Sequence, residues 1–146
     1  MKKNYIILGC IQAFIAAGAI PAGLLFLIDT SGGRMGTATS MLSNSPFSSF
    51  LIPGLFLFTV NGLGSAFGAI LSFRKEKPAG IIGLGLGVLL SLWIIIQTYL
   101  IGLISFLQPL FFLTGIFEAI LGWIIFKSAS GIKSENKDKD LLHQQR

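Results

Sequence analysis

Residues 80–102 read GIIGLGLGVLLSLWIIIQTYLIG, and this stretch decides the fold. It contains no charged residue and carries small side chains at regular intervals. A helix rises about 1.5 Å per residue, so the stretch is long enough to cross the roughly 30 Å hydrocarbon core of a bilayer. Three further stretches of similar character occur, at residues 5–28, 50–73 and 108–126. The sequence therefore predicts an all-α, polytopic membrane protein with four transmembrane helices in a compact antiparallel bundle.

Composition supports the same class. The chain has 146 residues, of which 53% are hydrophobic and 12% charged, with a mean hydropathy of +0.79. Four spans of about 22 residues occupy most of this length, which leaves no room for a second domain. We predict a transmembrane domain over residues 1–127 and a disordered cytoplasmic tail over residues 128–146, where Lys alternates with Glu and Asp. One Cys and one His exclude an internal disulfide and most metal sites, so we expect no metal.

The positive charge is placed to orient the chain in a membrane. The net charge of +5 could indicate nucleic acid, but the basic residues flank the spans and form no aromatic-interleaved face, so we expect no nucleic-acid partner. Ten of the eleven basic residues fall on one alternating side, and only Arg34 falls on the other. The ten are Lys2, Lys3, Arg74, Lys75, Lys77, Lys127, Lys133, Lys137, Lys139 and Arg146. Basic flanks stay inside, so we predict a cell-membrane protein, of the bacterial plasma-membrane kind, with both termini cytoplasmic.

The first span could be mistaken for a cleavable signal, because Lys2 and Lys3 precede an apolar run that reaches Cys10. Only about four apolar residues separate these charges from Cys10, whereas a signal needs about 7 to 15. The run also continues to residue 28, so a retained helix is predicted, with a kink at Pro21. The polar outer loop, residues 29–49, is predicted to hold a helical turn around residues 37–42 and to be either a ligand lid or a passive linker.

Each span carries one face of small or polar residues, with Leu, Ile and Phe elsewhere. Lipid tails are as apolar as Leu, so helices associate in membranes through close backbone approach and interhelical hydrogen bonds. The predicted packing positions are Gly64, Gly68, Gly83, Gly87 and Ser91. Two interpretations stay open: the small faces all meet inside one bundle, or the face of the third span forms a dimer interface.

Glu118 is the only ionisable side chain within the apolar part of any span. A charge at that depth costs at least about 2.5 kcal/mol, so we expect a neutral acid that faces the bundle interior. Asn61 and Gln12 fall at comparable depth, and an intramembrane polar cluster of Glu118, Asn61 and Gln12 would satisfy all three groups. Its role stays open between a site for protons, cations or a polar substrate group and a neutral acid that only cross-links helices.

Nearer the predicted outer face, Gln97 and Gln108 could pair across the third and fourth spans as interhelical hydrogen bonds. Catalytic patterns are absent from the sequence: the spans hold no Ser/His/Asp set, no Cys/His pair and no paired carboxylates. We therefore predict no catalytic residues, no enzymatic activity and no cofactor.

Four short spans with one membrane glutamate make a layout similar to that of the small multidrug-resistance exporters. In that family the glutamate lies in the first span, whereas Glu118 lies in the last, so the resemblance transfers no residues. The leading hypothesis is a small non-enzymatic integral membrane protein, a helical bundle that associates with itself or with a larger membrane complex. The alternative is a small oligomeric transporter or channel with Glu118 as the proton- or cation-coupling group. A membrane enzyme acting on lipids or quinones ranks third.

Overall fold

A computed structural model describes the backbone of residues 1–144 and the side chains of residues 1–131. In this part of the chain every secondary-structure element is helical, and no strand forms. The four long helices are Lys2–Ile28, Leu51–Phe73, Ala79–Ile101 and Leu107–Gln144, called the first to fourth helix below. Each is long and apolar enough to cross a membrane, which confirms the predicted all-helical class and the number of candidate spans.

The end of the fourth helix differs from the prediction. The sequence places the end of the span near residue 126 and a disordered tail from residue 128, yet the helix continues as far as Gly131 among the residues with described side chains. Ser130 Oγ donates a hydrogen bond to the Phe126 carbonyl at 3.0 Å, and no proline interrupts the backbone ladder. The first residues of the predicted tail are therefore helical. The backbone stays helical as far as Gln144, and residues 145 and 146 lie outside the described residues.

The second helix changes its winding along its length. It is α-helical over Leu51–Phe56, π-helical over Leu57–Gly64 and α-helical again over Ser65–Phe73. π-Helical turns are rare and occur often at functional sites. Nothing in the sequence pattern predicted this segment. The first helix, by contrast, remains a single element through Pro21.

The helices pack as two antiparallel pairs, the first with the second and the third with the fourth. Glycines let the backbones approach closely within each pair. A Cβ added to Gly87 would lie 2.5 Å from the Ala119 nitrogen, and one added to Gly23 would lie 2.6 Å from the Phe58 nitrogen. The small face of the third helix is thus largely covered inside the chain, by the fourth helix at Gly87 and by the Leu8 side chain at Gly83. This cover favours the interpretation in which the small faces meet inside one bundle over the dimer interface that the sequence left open.

The two ends of the bundle differ in what they carry. The basic end holds Lys2, Lys3, residues 74–78 and Lys127, and the loop end holds residues 29–50 and 102–106. A cluster of buried side chains closes the basic end and draws on three of the four helices: Tyr5, Leu8, Ala79, Leu121 and Ile125. A second cluster, formed by Ile15, Leu90 and Ile94, lies further towards the loop end. Polar side chains occupy the space between the two clusters.

Candidate functional site in the bundle interior

Gln12 is the polar residue that links the first helix to the second. Its side chain is fully buried, and its Oε1 accepts a 2.7 Å hydrogen bond from Ser72 Oγ. Two glycines leave room for its Nε2 atom, because a Cβ on Gly68 would lie 2.8 Å from it and a Cβ on Gly83 3.4 Å from it. The predicted packing glycines therefore make space for a buried amide as well as for close backbone contact.

Glu118 on the fourth helix is also fully buried. The Gln12 amide is the polar side chain that faces its carboxyl group. The two do not form a hydrogen bond of good geometry: Gln12 Nε2 and both carboxyl oxygens of Glu118 lack a partner among the described residues. In that same part of the chain, no three His, Cys, Asp or Glu side chains come together as a metal site would require. The result is an acid and an amide that face each other with spare hydrogen-bonding capacity.

Glu118 and Gln12 form a thin polar layer between the two apolar clusters. Leu121, one turn after Glu118, belongs to the cluster at the basic end. Ile11, next to Gln12 in the chain, packs against both clusters. Apolar packing on both sides keeps the layer away from solvent, so each unpaired polar atom there is energetically costly.

Asn61 does not join this layer. Gln12 lies opposite Gly68 and Ser72, and Asn61 precedes Gly68 by two helical turns, roughly 10 Å nearer the loop end at about 1.5 Å per residue. None of the hydrogen bonds among the described residues connects Asn61 to Gln12 or Glu118. The predicted three-residue cluster is therefore a Gln12–Glu118 pair and a separate Asn61. Ser72 was missed as the partner of Gln12, because its place on the same helical face as Gly68 predicts that it is buried but not which residue it contacts.

Asn61 lines a cavity of about 570 Å³ at the loop end, between the two helix pairs. All four helices and the loop over residues 29–50 contribute to its walls. Its lining is mostly aliphatic and aromatic and contains no charged side chain. The polar residues in the lining are Thr37, Asn61, Gln97, Ser105 and Gln108. Glu118 and Gln12 do not line it.

The predicted outer pair, Gln97 and Gln108, is also rearranged. Gln108 Nε2 reaches the third helix through Thr98 Oγ1, at 3.3 Å, and not through Gln97. Its other hydrogen bonds hold the connection between the third and fourth helices, with Oε1 accepting from the backbone nitrogens of Ile104 and Ser105 and Nε2 donating to the Gly102 carbonyl. A buried amide satisfies its groups with the nearest backbone, so Gln108 is occupied and Gln97 stays on the cavity wall.

The outer loop covers this cavity. Asp29, at the end of the first helix, accepts hydrogen bonds from the Ser31 hydroxyl and from the backbone nitrogens of Ser31 and Arg34. These bonds, the Ser31 hydroxyl above all, hold the pKa of Asp29 below its ordinary value. The loop includes the short 3₁₀ helix Thr39–Leu42, inside the turn predicted over residues 37–42. Leu42 lines the cavity, which favours the lid interpretation over the passive linker.

Comparisons with protein-family models, curated proteins and solved structures find no match to this chain. The candidate sites therefore depend on the geometry of this molecule alone.

Proposed function

We propose that this chain is a small non-enzymatic integral membrane protein that handles protons through Glu118. The observation that carries the proposal is a fully buried carboxyl group whose two oxygens have no hydrogen-bond partner among the described residues and face the Gln12 amide. A carboxyl group that only cross-linked helices would be expected to make its hydrogen bonds. Intramembrane carboxylates commonly mark proton relays and ion pathways. One carboxyl group beside one amide offers too few ligands for a divalent metal ion, so a proton is the favoured cargo.

Proton flux into reconstituted vesicles tests this function. The purified chain is placed in vesicles that contain a pH-sensitive dye, and a potassium diffusion potential drives proton entry. We expect flux above that of protein-free vesicles, and we expect Glu118→Gln to reduce it to the protein-free level. Glu76→Gln is the matched control, because Glu76 is an exposed acid at the basic end. Wild-type flux equal to that of protein-free vesicles, or flux that folded Glu118→Gln retains, would contradict the proposal.

We further propose that the helices cross the cell membrane with both termini in the cytosol. Supporting this orientation, Lys2, Lys3 and Lys127 gather at the basic end, while Arg34 lies at the loop end. Cysteines introduced singly as Arg34→Cys and Lys75→Cys, in a Cys10→Ser background, can be labelled in intact cells with an impermeant maleimide. We expect labelling at position 34 and protection at position 75 until the cells are opened. Equal labelling at both positions in intact cells would contradict this topology.

Association with itself or with a larger membrane complex is a second proposal. The cavity that opens at the loop end ends near Ile15, Asn61 and Leu90 and does not reach the basic end. No continuous path therefore runs through the described part of one chain, so the flux expected above requires at least a second copy of this chain, which the vesicles supply. Chemical crosslinking in native membranes tests this, with a product of twice the monomer mass or larger as the expected result. A chain that stays monomeric at every crosslinker concentration would contradict association.

A further inference from the structure

The cavity at the loop end has the size of a ligand site. Its volume of about 570 Å³ falls within the roughly 300–1,000 Å³ of small-molecule sites, and a cavity of about 150 Å³ already holds benzene. Ile96, Ile104 and Leu107 line it and are also exposed on the outside of the bundle. The cavity thus opens at an apolar rim, where a lipophilic molecule could enter from the bilayer.

The chemistry of the walls selects for a neutral, ring-shaped ligand. No charged side chain lines the cavity, so a charged ligand would lose its hydration without gaining an opposite charge. Aromatic rings are frequent in the lining: Phe26, Phe47, Phe50, Trp93 and Phe111. Three of them are held in place by stacking: Phe26 and Phe50 stack on each other at 4.8 Å, and Trp93 stacks on Phe56 at 4.6 Å. Fixed aromatic faces favour a planar partner.

The polar specificity of the cavity comes from Asn61. This residue is 2% exposed, and its Nδ2 has no hydrogen-bond partner among the described residues. An unpaired buried donor costs about 1–3 kcal/mol, which a hydrogen-bond acceptor on a ligand would remove. Asn61 also lies within the π-helical segment Leu57–Gly64, and such segments are frequent at functional sites.

We propose that this cavity binds a neutral, planar lipophile that carries a carbonyl group, of the quinone class, whose carbonyl oxygen accepts a hydrogen bond from Asn61 Nδ2. The proposal goes beyond proton handling and does not rest on it, because Glu118 and Gln12 lie outside the lining. The ring packs among the aromatic side chains, and its apolar substituents extend towards the rim at Ile96 and Leu107.

Tryptophan fluorescence measures binding directly, because quinones quench indole emission and Trp93 lies on the cavity wall whereas Trp123 does not. In a Trp123→Phe background, the purified protein in detergent is titrated with menadione (2-methyl-1,4-naphthoquinone). We expect saturable quenching of Trp93. We expect Asn61→Leu to weaken the apparent affinity roughly tenfold, the loss that corresponds to about one hydrogen bond. Thr59→Val is the matched control and should change nothing, because Thr59 is exposed and bonds only its own helix at Leu55.

A cavity-filling variant and a competition experiment test the proposal independently of Asn61→Leu. Ala22→Phe fills the cavity while leaving Asn61 intact, so saturable quenching should disappear even if Asn61→Leu fails to fold. Competition with 2-methylnaphthalene, which has the same rings without the carbonyls, should displace menadione at least roughly tenfold less well. The proposal is overturned if quenching is linear, as for simple partition into micelles, or if Ala22→Phe leaves it unchanged. Displacement by 2-methylnaphthalene as effective as by menadione would overturn the role of the carbonyl.

Discussion

The two ends of this bundle are built from the same four helices but pack in opposite ways. At the basic end, side chains such as Leu8 and Ile125 are fully buried and the helix pairs meet without a gap. At the loop end the same pairs separate around a cavity of about 570 Å³. The Gln12–Glu118 layer lies where the closed half gives way to the open one. The proposed proton site and the proposed ligand site therefore lie close together in a chain of 146 residues.

The two ends differ in the size of the residues that lie between the second and third helices. Towards the basic end, Gly64 and Gly68 on the second helix face Leu86 on the third, and the absent side chains let the helices approach. Towards the loop end, Phe56 and Trp93 stack between the same two helices and hold them apart. The cavity thus lies on the side of the bundle where these large aromatic side chains pack between the second and third helices.

The largest expected effect comes from breaking the glycine contacts. Gly87→Leu should destabilise the protein by about 3 kcal/mol or more, because even a Cβ at this position would lie 2.5 Å from the Ala119 nitrogen. Gly85→Leu is the matched control on the same helix, since nothing lies within 4 Å of a Cβ there. Unfolding in mixed micelles with increasing dodecyl sulfate would measure both. Equal stability of the two variants would contradict the close pairing of the third and fourth helices.

Large-to-small substitutions compare the two halves directly. Ile125→Ala should cost about 2 kcal/mol, because Ile125 is fully buried at the basic end and its removal leaves a void. Leu100→Ala should cost about 1 kcal/mol or less, because Leu100 already borders a cavity and loses fewer contacts. The same unfolding assay ranks them. A larger loss for Leu100→Ala would indicate that the loop end is as tightly packed as the basic end.

Much of this architecture could be predicted from the sequence, because it depends on local patterns. Span length and hydropathy identify the four helices, and small residues at helical spacing identify which faces meet. The π-helical segment and the partners of Gln12 and Gln108 could not be predicted. A change of winding rotates every later side chain, and a buried amide bonds with whichever group the final packing brings nearest. Ser72 and Thr98 can therefore be identified as hydrogen-bond partners only once the packing of the helices against each other is known.

A smaller effect is expected within the polar layer. Ser72→Ala should cost about 1 kcal/mol, because it removes the hydroxyl that donates to Gln12 Oε1 at 2.7 Å. In a double-mutant cycle with Gln12→Leu, most of that cost should vanish, since the hydrogen bond is then already lost. Thr59→Val serves as the control for loss of a hydroxyl bonded within its own helix. Strictly additive costs for Ser72 and Gln12 would contradict the bond.

The smallest expected effect concerns the outer loop, which covers the cavity at the loop end. The hydrogen bonds of Asp29 lower its pKa from the ordinary value of 3.8, so at any pH above 3.8 the side chain is ionised and its carboxylate orders the loop. This contribution is lost as the pH falls through the lowered pKa. The amide proton of Arg34 should therefore titrate with a midpoint below 3.8 in NMR spectra of the protein in micelles. Asp29→Asn should abolish this titration. A midpoint at or above the ordinary value would show that the loop does not hold the carboxylate.

The backbone contact at Gly87 has a mechanical consequence. Two helices joined backbone to backbone cannot slide or tilt against each other without collision, so the third and fourth helices behave as one stiff rod. The first and second helices make the same kind of contact at Gly23, so relative displacement inside the molecule is favoured at the interface between the two pairs. Gln12 borders this interface from one side and Glu118 from the other, so under the proposed function a change in the protonation of Glu118 would act at that interface.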